Sequence, residues 1–229
     1  YIFDPAPVPT LAVADSQDRI PVRRIFCIGR NYAAHAVEMG KDPDRDPPFF
    51  FLKPNDAVVE DGATVPYPPE TEHFHYEAEL VAVIGAGGKN IAEEDALDHV
   101  WGYAVGNHLT RRDLQLKARE QGRPWDLGKG FDRSAPIAPV HSVSKVGHPS
   151  KGFIRLTVNG ETRQEADLAE LIWSVPEMIS ILSHSMELRP GDVIMTGTPA
   201  GVGPLAPGDT CVVSVEGLGE LTTKIGPKE

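Results

Sequence analysis

Apolar and polar residues alternate in short runs punctuated by glycine and proline, a pattern that predicts many strands and few, short helices. The clearest run is His75-Tyr76-Glu77-Ala78-Glu79-Leu80-Val81-Ala82-Val83-Ile84-Gly85, which starts in strict alternation and becomes continuously apolar. A strand reads this way when one end lines a cavity and the other is buried on both faces. Side chains repeat every two residues, so His75, Glu77 and Glu79 share a face. Two neighbouring carboxylates near a core strand repel and lose hydration unless a positive group stands between them. A divalent cation would satisfy both; a solvated acidic edge strand is the alternative this stretch leaves open.

Around that strand the pattern places an apolar strand at 24–29 and a helix at 30–40, with Asn31 near its N-cap and Gly40 as its stop. His35 and Glu38 lie three apart on this helix, within reach of each other. Residues 41–48 are charged and proline-rich, an expected mobile loop and candidate lid. A buried strand at 49–53, prolines breaking 65–70, a short acidic helix at 92–99 and a strand at 101–109 follow. A helix at 110–119, with Thr110 as its expected cap, carries Arg112 and Gln115 on one face and ends at Gly122 and Pro124. Asn159-Gly160 signals a hairpin, and Ser174-Val175-Pro176-Glu177 a capping box opening a helix to about Ser185. A strand at 192–196 runs into a glycine loop at 196–203, and 210–215 and 220–225 are β. No repeat or linker divides the chain, so residues 1–20 are expected as an N-terminal strap and 21–229 as a single catalytic domain.

Composition narrows the partners. The 22 Lys and Arg against 33 Asp and Glu leave a net charge of −11, which disfavours nucleic acid as a partner. An anionic substrate must then be drawn by a local cluster or a metal. Cys27 and Cys211 each sit in an apolar, β-like stretch and read as buried thiols rather than as a disulfide or zinc site. No apolar run has the length to span a membrane and the first residues lack a signal-peptide pattern, so a cytoplasmic protein without a membrane partner is expected.

Several residues carry candidate chemistry, each with a plainer alternative. Glu38 beside His35 would orient a water-activating base, or the two form an ordinary surface pair. Arg111 and Arg112 bind substrate oxygens or are solvated charges. Lys129, between Gly128 and Gly130, approaches a ligand or lies in an exposed loop. The loop at 196–203 lacks the P-loop lysine spacing, and offers backbone N–H groups and threonine hydroxyls to a carboxylate instead.

In order along the chain, Gly29-Arg30-Asn31-Tyr32-Ala33-Ala34-His35, Phe51-Leu52-Lys53-Pro54, His75-Tyr76-Glu77-Ala78-Glu79-Leu80, Thr110-Arg111-Arg112-Asp113-Leu114-Gln115, Leu127-Gly128-Lys129-Gly130-Phe131-Asp132 and the segment from Gly191 to Gly203 resemble the fumarylacetoacetate hydrolase family. The similarity is to its short, single-domain acylpyruvate and fumarylpyruvate hydrolase branch. It implies an α+β, predominantly β fold, a mixed β-sandwich or roll of the family's C-terminal domain type with short helices, in a homodimer. It implies a Mg²⁺ or Mn²⁺ site with Glu77 and Glu79 as ligands, and His35 with Glu38 as the catalytic dyad. Lys129 would join them in catalysis, with Arg30, Tyr32, Arg112, Gln115 and Thr198 contacting substrate. The implied reaction is hydrolysis of a carbon–carbon bond in a 1,3-diketo acid of aromatic catabolism, fumarylpyruvate being favoured, to fumarate and pyruvate. A 2-oxo acid decarboxylase or isomerase, such as one acting on oxaloacetate, and a metal-impaired, non-catalytic 2-oxo acid binder are the alternatives. One position departs from the pattern: His108 stands where the family usually has a third metal carboxylate. As a ligand it would lower the formal charge of the donor set and widen the choice to other divalent transition metals; as a hydrogen-bonding residue it would leave two ligands.

Overall fold

The computed structural model describes residues 1–39 and 46–229. Its centre is a six-stranded sheet ordered His141–Ser142, Val100–Asn107, Ala78–Ile84, Asp192–Met195, Arg24–Ile28, Phe50–Lys53. Asp192–Met195 pairs in parallel with Arg24–Ile28, and the other pairings are antiparallel. Every residue of Ala78–Ile84 is buried, which explains its unbroken apolar run. Leu80, Ala82 and Ile84 pack with Ile154, Leu156, Val213 and Leu221 of a five-stranded sheet. Val81 and Val83 pack on the other side with Ile25, Cys27, Val193, Met195 and Val140. Each such side chain contributes roughly 1.5–3 kcal/mol by leaving water. The five-stranded sheet contains the expected hairpin, Phe153–Val158 with Glu161–Asp167, turned through Asn159 and Gly160 with φ of 53° and 84°. Positive φ at both central residues is what a two-residue hairpin turn requires. The fold is thus α+β and mostly strand, with short helices, the longest being the eleven-residue Val175–Ser185 behind its capping box.

The expected strand from His75 to Ile84 is two strands. Phe74–Tyr76 lies in a small sheet between Thr110–Arg111 and Gly203–Pro204, whereas Ala78–Ile84 belongs to the six-stranded sheet. Glu77 is the junction, and side chains replace part of the ladder there. Its N–H donates to Asn107 Oδ1 at 3.2 Å, its carbonyl accepts from His108 N at 2.8 Å, and Ala78 N donates to Gln164 Oε1 at 2.9 Å. A break in pairing at this point lets Glu77 and Glu79 both turn into one cavity.

Two expected helix caps are used otherwise. The first helix is Ala33–Glu38 with Tyr32 at its N-cap and no side-chain cap bond. Asn31 instead donates to the carbonyls of Trp173 and Thr196, both at 2.8 Å, and accepts from Trp173 N at 2.7 Å. A buried amide with three long-range partners ties three segments together, which outweighs one cap bond. Gly40 and residues 41–45 of the expected mobile loop lie outside the described residues. The second helix is Arg112–Glu120, with Arg111 at its N-cap and no side-chain cap bond. Thr110 sits in a strand, its hydroxyl donating to His108 O at 3.1 Å. Lys129 is itself buried and ends a helical turn, Asp126–Lys129, rather than lying in an exposed loop. Cys27 and Cys211 are free and buried. Among the described residues, no helix is long and apolar enough to cross a membrane.

Lys53, buried on the edge strand, has no carboxylate partner among the described residues; its Nζ donates to the carbonyls of Leu109, at 3.2 Å, and Lys129. Burial lowers its pKa to about 7, below the usual lysine value. Between about pH 7 and pH 10 the unfolded chain then binds a proton that the folded chain does not, so this group makes stability rise with pH. Urea unfolding at pH 7 to 9 should show a rise in wild type that exceeds that of Lys53→Met by up to about 1.4 kcal/mol per pH unit. Parallel pH slopes would refute a displaced Lys53. A second expectation concerns Gly197, at φ 95°, where an added Cβ would stand 2.6 Å from Asn31 Cβ. Gly197→Ala should lose about 2–3 kcal/mol of stability; an unchanged urea midpoint would show that the loop yields freely.

Candidate active site

Glu77, Glu79 and His108 converge where the sheets meet, one donor atom from each lying within 4.8 Å of the others, all three buried. His108 Nδ1 is 2.8 Å from Glu79 Oε1 and 3.5 Å from Glu77 Oε2. The two carboxylates are compensated unequally. Glu77 receives Lys129 Nζ on both oxygens, at 2.9 and 2.8 Å, and Arg112 Nη2 on Oε1. Glu79 receives Gly197 N at 2.7 Å and His108.

That inequality sets the charges. Burial raises the Glu77 pKa, but Lys129 and Arg112 outweigh burial and hold it well below the usual range. Burial and then the Glu77 charge push Glu79 up to about 8. Burial holds His108 well below its usual value, so its imidazole is neutral, the form that ligates metals. Its Nε2 is buried without a hydrogen-bond partner among the described residues. A buried carboxylate short of positive charge, an ionised one beside it and a neutral imidazole fit a divalent cation. Oxygen ligands alone suit Mg²⁺, and adding imidazole broadens the fit toward Mn²⁺ and its neighbours. His108 thus makes the expected hydrogen-bond contact with Glu79 and also has a ring nitrogen within 4.8 Å of an oxygen of each carboxylate.

The cavity over this cluster is lined by Arg30, His35, Arg112, Gln115, Lys129 and Thr198, together with Phe51, Met39, Arg119 and Trp125. His35 Nδ1 is 3.0 Å from Glu38 Oε2, and Glu38 in turn accepts from Gly201 N at 3.1 and 3.2 Å. The pair is therefore anchored across the fold rather than free at a surface. Burial lowers the His35 pKa against the opposing pull of Glu77 and Glu38, leaving a neutral base. Gln115 Oε1 accepts from Arg112 Nη1 at 3.1 Å, which commits its carbonyl and leaves its amide N–H groups for another acceptor. Thr198 Oγ1 accepts from Gln164 Nε2 at 2.8 Å. Tyr32 is buried in the core outside this lining. Arg111, the other arginine of the pair, stands over the Phe131 ring at 4.5 Å, away from the cavity. Arg119, Trp125, Phe51 and Met39 escaped sequence reasoning. The signal for Arg119 was present, since it lies seven residues from Arg112 and four from Gln115 on one helix face. The aromatic pair had none, because strand 50–53 and the turn at 125 meet only in the fold.

Residues 24–226 match the model of the fumarylacetoacetate (FAA) hydrolase C-terminal family. The chain is 44% identical over 196 residues to a fumarylpyruvate hydrolase from a Ralstonia species, covering 83% of this chain and 100% of that protein. It is 41% identical over 198 residues to the mitochondrial oxaloacetate tautomerase of Arabidopsis thaliana, covering 86% of this chain and 88% of the relative. Among solved structures, fumarylpyruvate hydrolase from Pseudomonas aeruginosa, in complex with Mn²⁺ and pyruvate, superposes with a TM-score of 0.97 at 53% identity, with both chains covered in full. With its cavity, its acidic strand and nearly all of its length matched, the chain belongs to the fumarylacetoacetate hydrolase family.

Proposed function

We propose that the protein is a metal-dependent hydrolase that cleaves a carbon–carbon bond in an acylpyruvate, with fumarylpyruvate as the favoured substrate, yielding fumarate and pyruvate. The observation that carries this reading is the His35–Glu38 pair opening on the same cavity as Glu77, Glu79 and His108. A divalent cation held by those three residues would supply Lewis acidity toward the 2-oxo acid end of the substrate. Names of relatives support the substrate class and the metal, the Pseudomonas enzyme having been solved with Mn²⁺ and pyruvate.

The chain's own residues divide the remaining work. Glu38 holds His35 Nδ1, so Nε2 is the atom that takes a proton from water, which attacks the distal carbonyl of the substrate. The Gln115 amide faces the developing oxyanion, while Arg112 and Lys129 supply positive charge from their stations on Glu77. Collapse of the tetrahedral adduct breaks the bond to the pyruvoyl methylene, and the proton on His35 returns to that carbon. His35→Ala should cut kcat on fumarylpyruvate by about 10³-fold with Mn²⁺ or Mg²⁺ present. The Arabidopsis relative points to a second reading, tautomerisation of a 2-oxo acid, which needs no attacking water. Retained His35→Ala turnover of oxaloacetate, with no wild-type turnover of any acylpyruvate, would favour it.

The lowered His35 pKa places the acid limb of kcat/KM below the ordinary histidine value near 6.5. Activity is full where His35 is neutral and is lost as pH falls through its folded-state pKa. Glu38 raises that value, so Glu38→Gln should move the limb further toward acid while lowering kcat; a limb shifted toward neutral pH would contradict the dyad. For the metal, titration calorimetry should find the wild type preferring Mn²⁺ over Mg²⁺, and His108→Asp narrowing the preference by about tenfold or more. An identical preference in both proteins would take His108 out of the donor set.

A further inference from the structure

Of two guanidinium groups in the cavity wall, Arg119 has no assigned work and Arg30 only the general substrate contact that the family resemblance implies. Arg30 and Arg119 line the same space as the acidic cluster. Among the described residues neither makes an ion pair; Arg119 donates one long bond to Met39 O, at 3.3 Å, and Arg30 stands 5.2 Å from the Phe49 ring. Arg30 is held at φ 59°, a left-handed conformation that costs a non-glycine residue about 1 kcal/mol or more. Burial and then the like charge of Arg119 lower the Arg30 pKa, with Asp46 giving a partial offset. By contrast Arg112, the deeper arginine, is already committed to Glu77 and Gln115.

Between the cluster and this pair runs an aromatic wall. The His108 ring lies 5.6 Å from Phe51, Phe51 lies 5.3 Å from Trp125, and Trp125 lies 5.3 Å from Phe49, beneath Arg30. Arg119 is seven residues from Arg112 on one helix, a separation of about 10.5 Å along the axis. An extended chain advances about 3.5 Å per three bonds, so the six bonds between the end carboxyl carbons of a seven-carbon diketo acid span about 7 Å. Adding the hydrogen-bond reach of about 3 Å gives about 10 Å, comparable to the helix rise from Arg112 to Arg119 along the cavity wall.

We propose that Arg119, with Arg30, is the specificity determinant of this site, binding a carboxylate at the acyl end and so selecting acylpyruvates that are dicarboxylic over those ending in a methyl group. The flat enoyl segment lies along Phe51 and Trp125. This rests on the acylpyruvate reading, but its test does not. Fumarate and crotonate have the same shape and differ only in carboxylate against methyl, and calorimetry on the Mn²⁺-loaded protein compares them directly. Wild type should bind fumarate about 100-fold more tightly than crotonate. Arg119→Met should erase most of that preference while leaving crotonate affinity within about threefold, and Arg119→Lys should restore part of it. Parallel kinetics should show kcat/KM on fumarylpyruvate falling in Arg119→Met by a much larger factor than on acetylpyruvate. Fumarate preference lost in Arg119→Met, in a wild type inert toward every acylpyruvate, would sustain the anchor and remove the hydrolase reading. Wild-type indifference between the two acids, or equal weakening of both by Arg119→Met, would overturn the anchor itself.

Discussion

Two carboxylates one pleat apart on a buried strand are the constraint that the rest of this structure answers. Glu77 and Glu79 retain 4% and 1% of their exposure, and an unpaired charge at that depth costs several kcal/mol. The fold supplies a lysine and an arginine to the first, and one backbone N–H and an imidazole to the second. The result is an ionised carboxylate beside one that keeps its proton up to about pH 8. A positive charge added at Glu79 would displace that proton and complete the compensation, so the protein alone leaves its electrostatics one cation short.

Asp192 shows what a finished buried carboxylate looks like. Its side chain is fully buried, yet Arg23 and Arg24 reach both oxygens at 2.8–3.1 Å and Arg189 N adds a bond at 2.9 Å. No acceptor capacity faces a cavity, and the group fastens the strand Asp192–Met195 to its parallel neighbour. Around Glu77 and Glu79 the burial is similar but the partners are themselves strained. Lys129 and Lys53 both have pKa values lowered by burial, and Lys53 holds the Lys129 backbone rather than a counter-charge. Stability given up in this way, in one cavity, is the mark of a site shaped for a ligand.

Strand periodicity made the sheets, the hairpin at Asn159-Gly160 and the capping box at Ser174 legible, because each depends on neighbours in the chain. The break at Glu77 was not legible: alternation continues through it, and only Asn107 and Gln164, distant in sequence, reveal where pairing changes sheets. Asn31 and Thr110 failed as caps because other partners claim their side chains: Trp173 and Thr196 across the fold for Asn31, and Lys129 together with the His108 carbonyl two residues back for Thr110. Residue types at the site were visible through ordered motifs, whereas their division of labour was not. Arg112 reads as a substrate contact and Lys129 as a catalytic residue, and their shared contact with Glu77 is seen only in the fold.

The glycine loop then links the two halves of the chemistry. Gly197 N holds Glu79 of the acidic cluster, and Gly201 N holds Glu38, which pairs with His35. Between them Thr198 and the Pro199 carbonyl are fastened by Gln164, whose own Oε1 secures the strand at Ala78. One short segment thus sets the spacing between the His35–Glu38 pair and the acidic cluster. Both glycines have φ of 95°, and an added Cβ would stand 2.6 Å from Asn31 Cβ at Gly197 and would collide with the Arg163 carbonyl oxygen at Gly201. A side chain at either position would lift the loop and change the separation of His35 and the acidic cluster, so the glycines matter here for the distance they enforce rather than for flexibility.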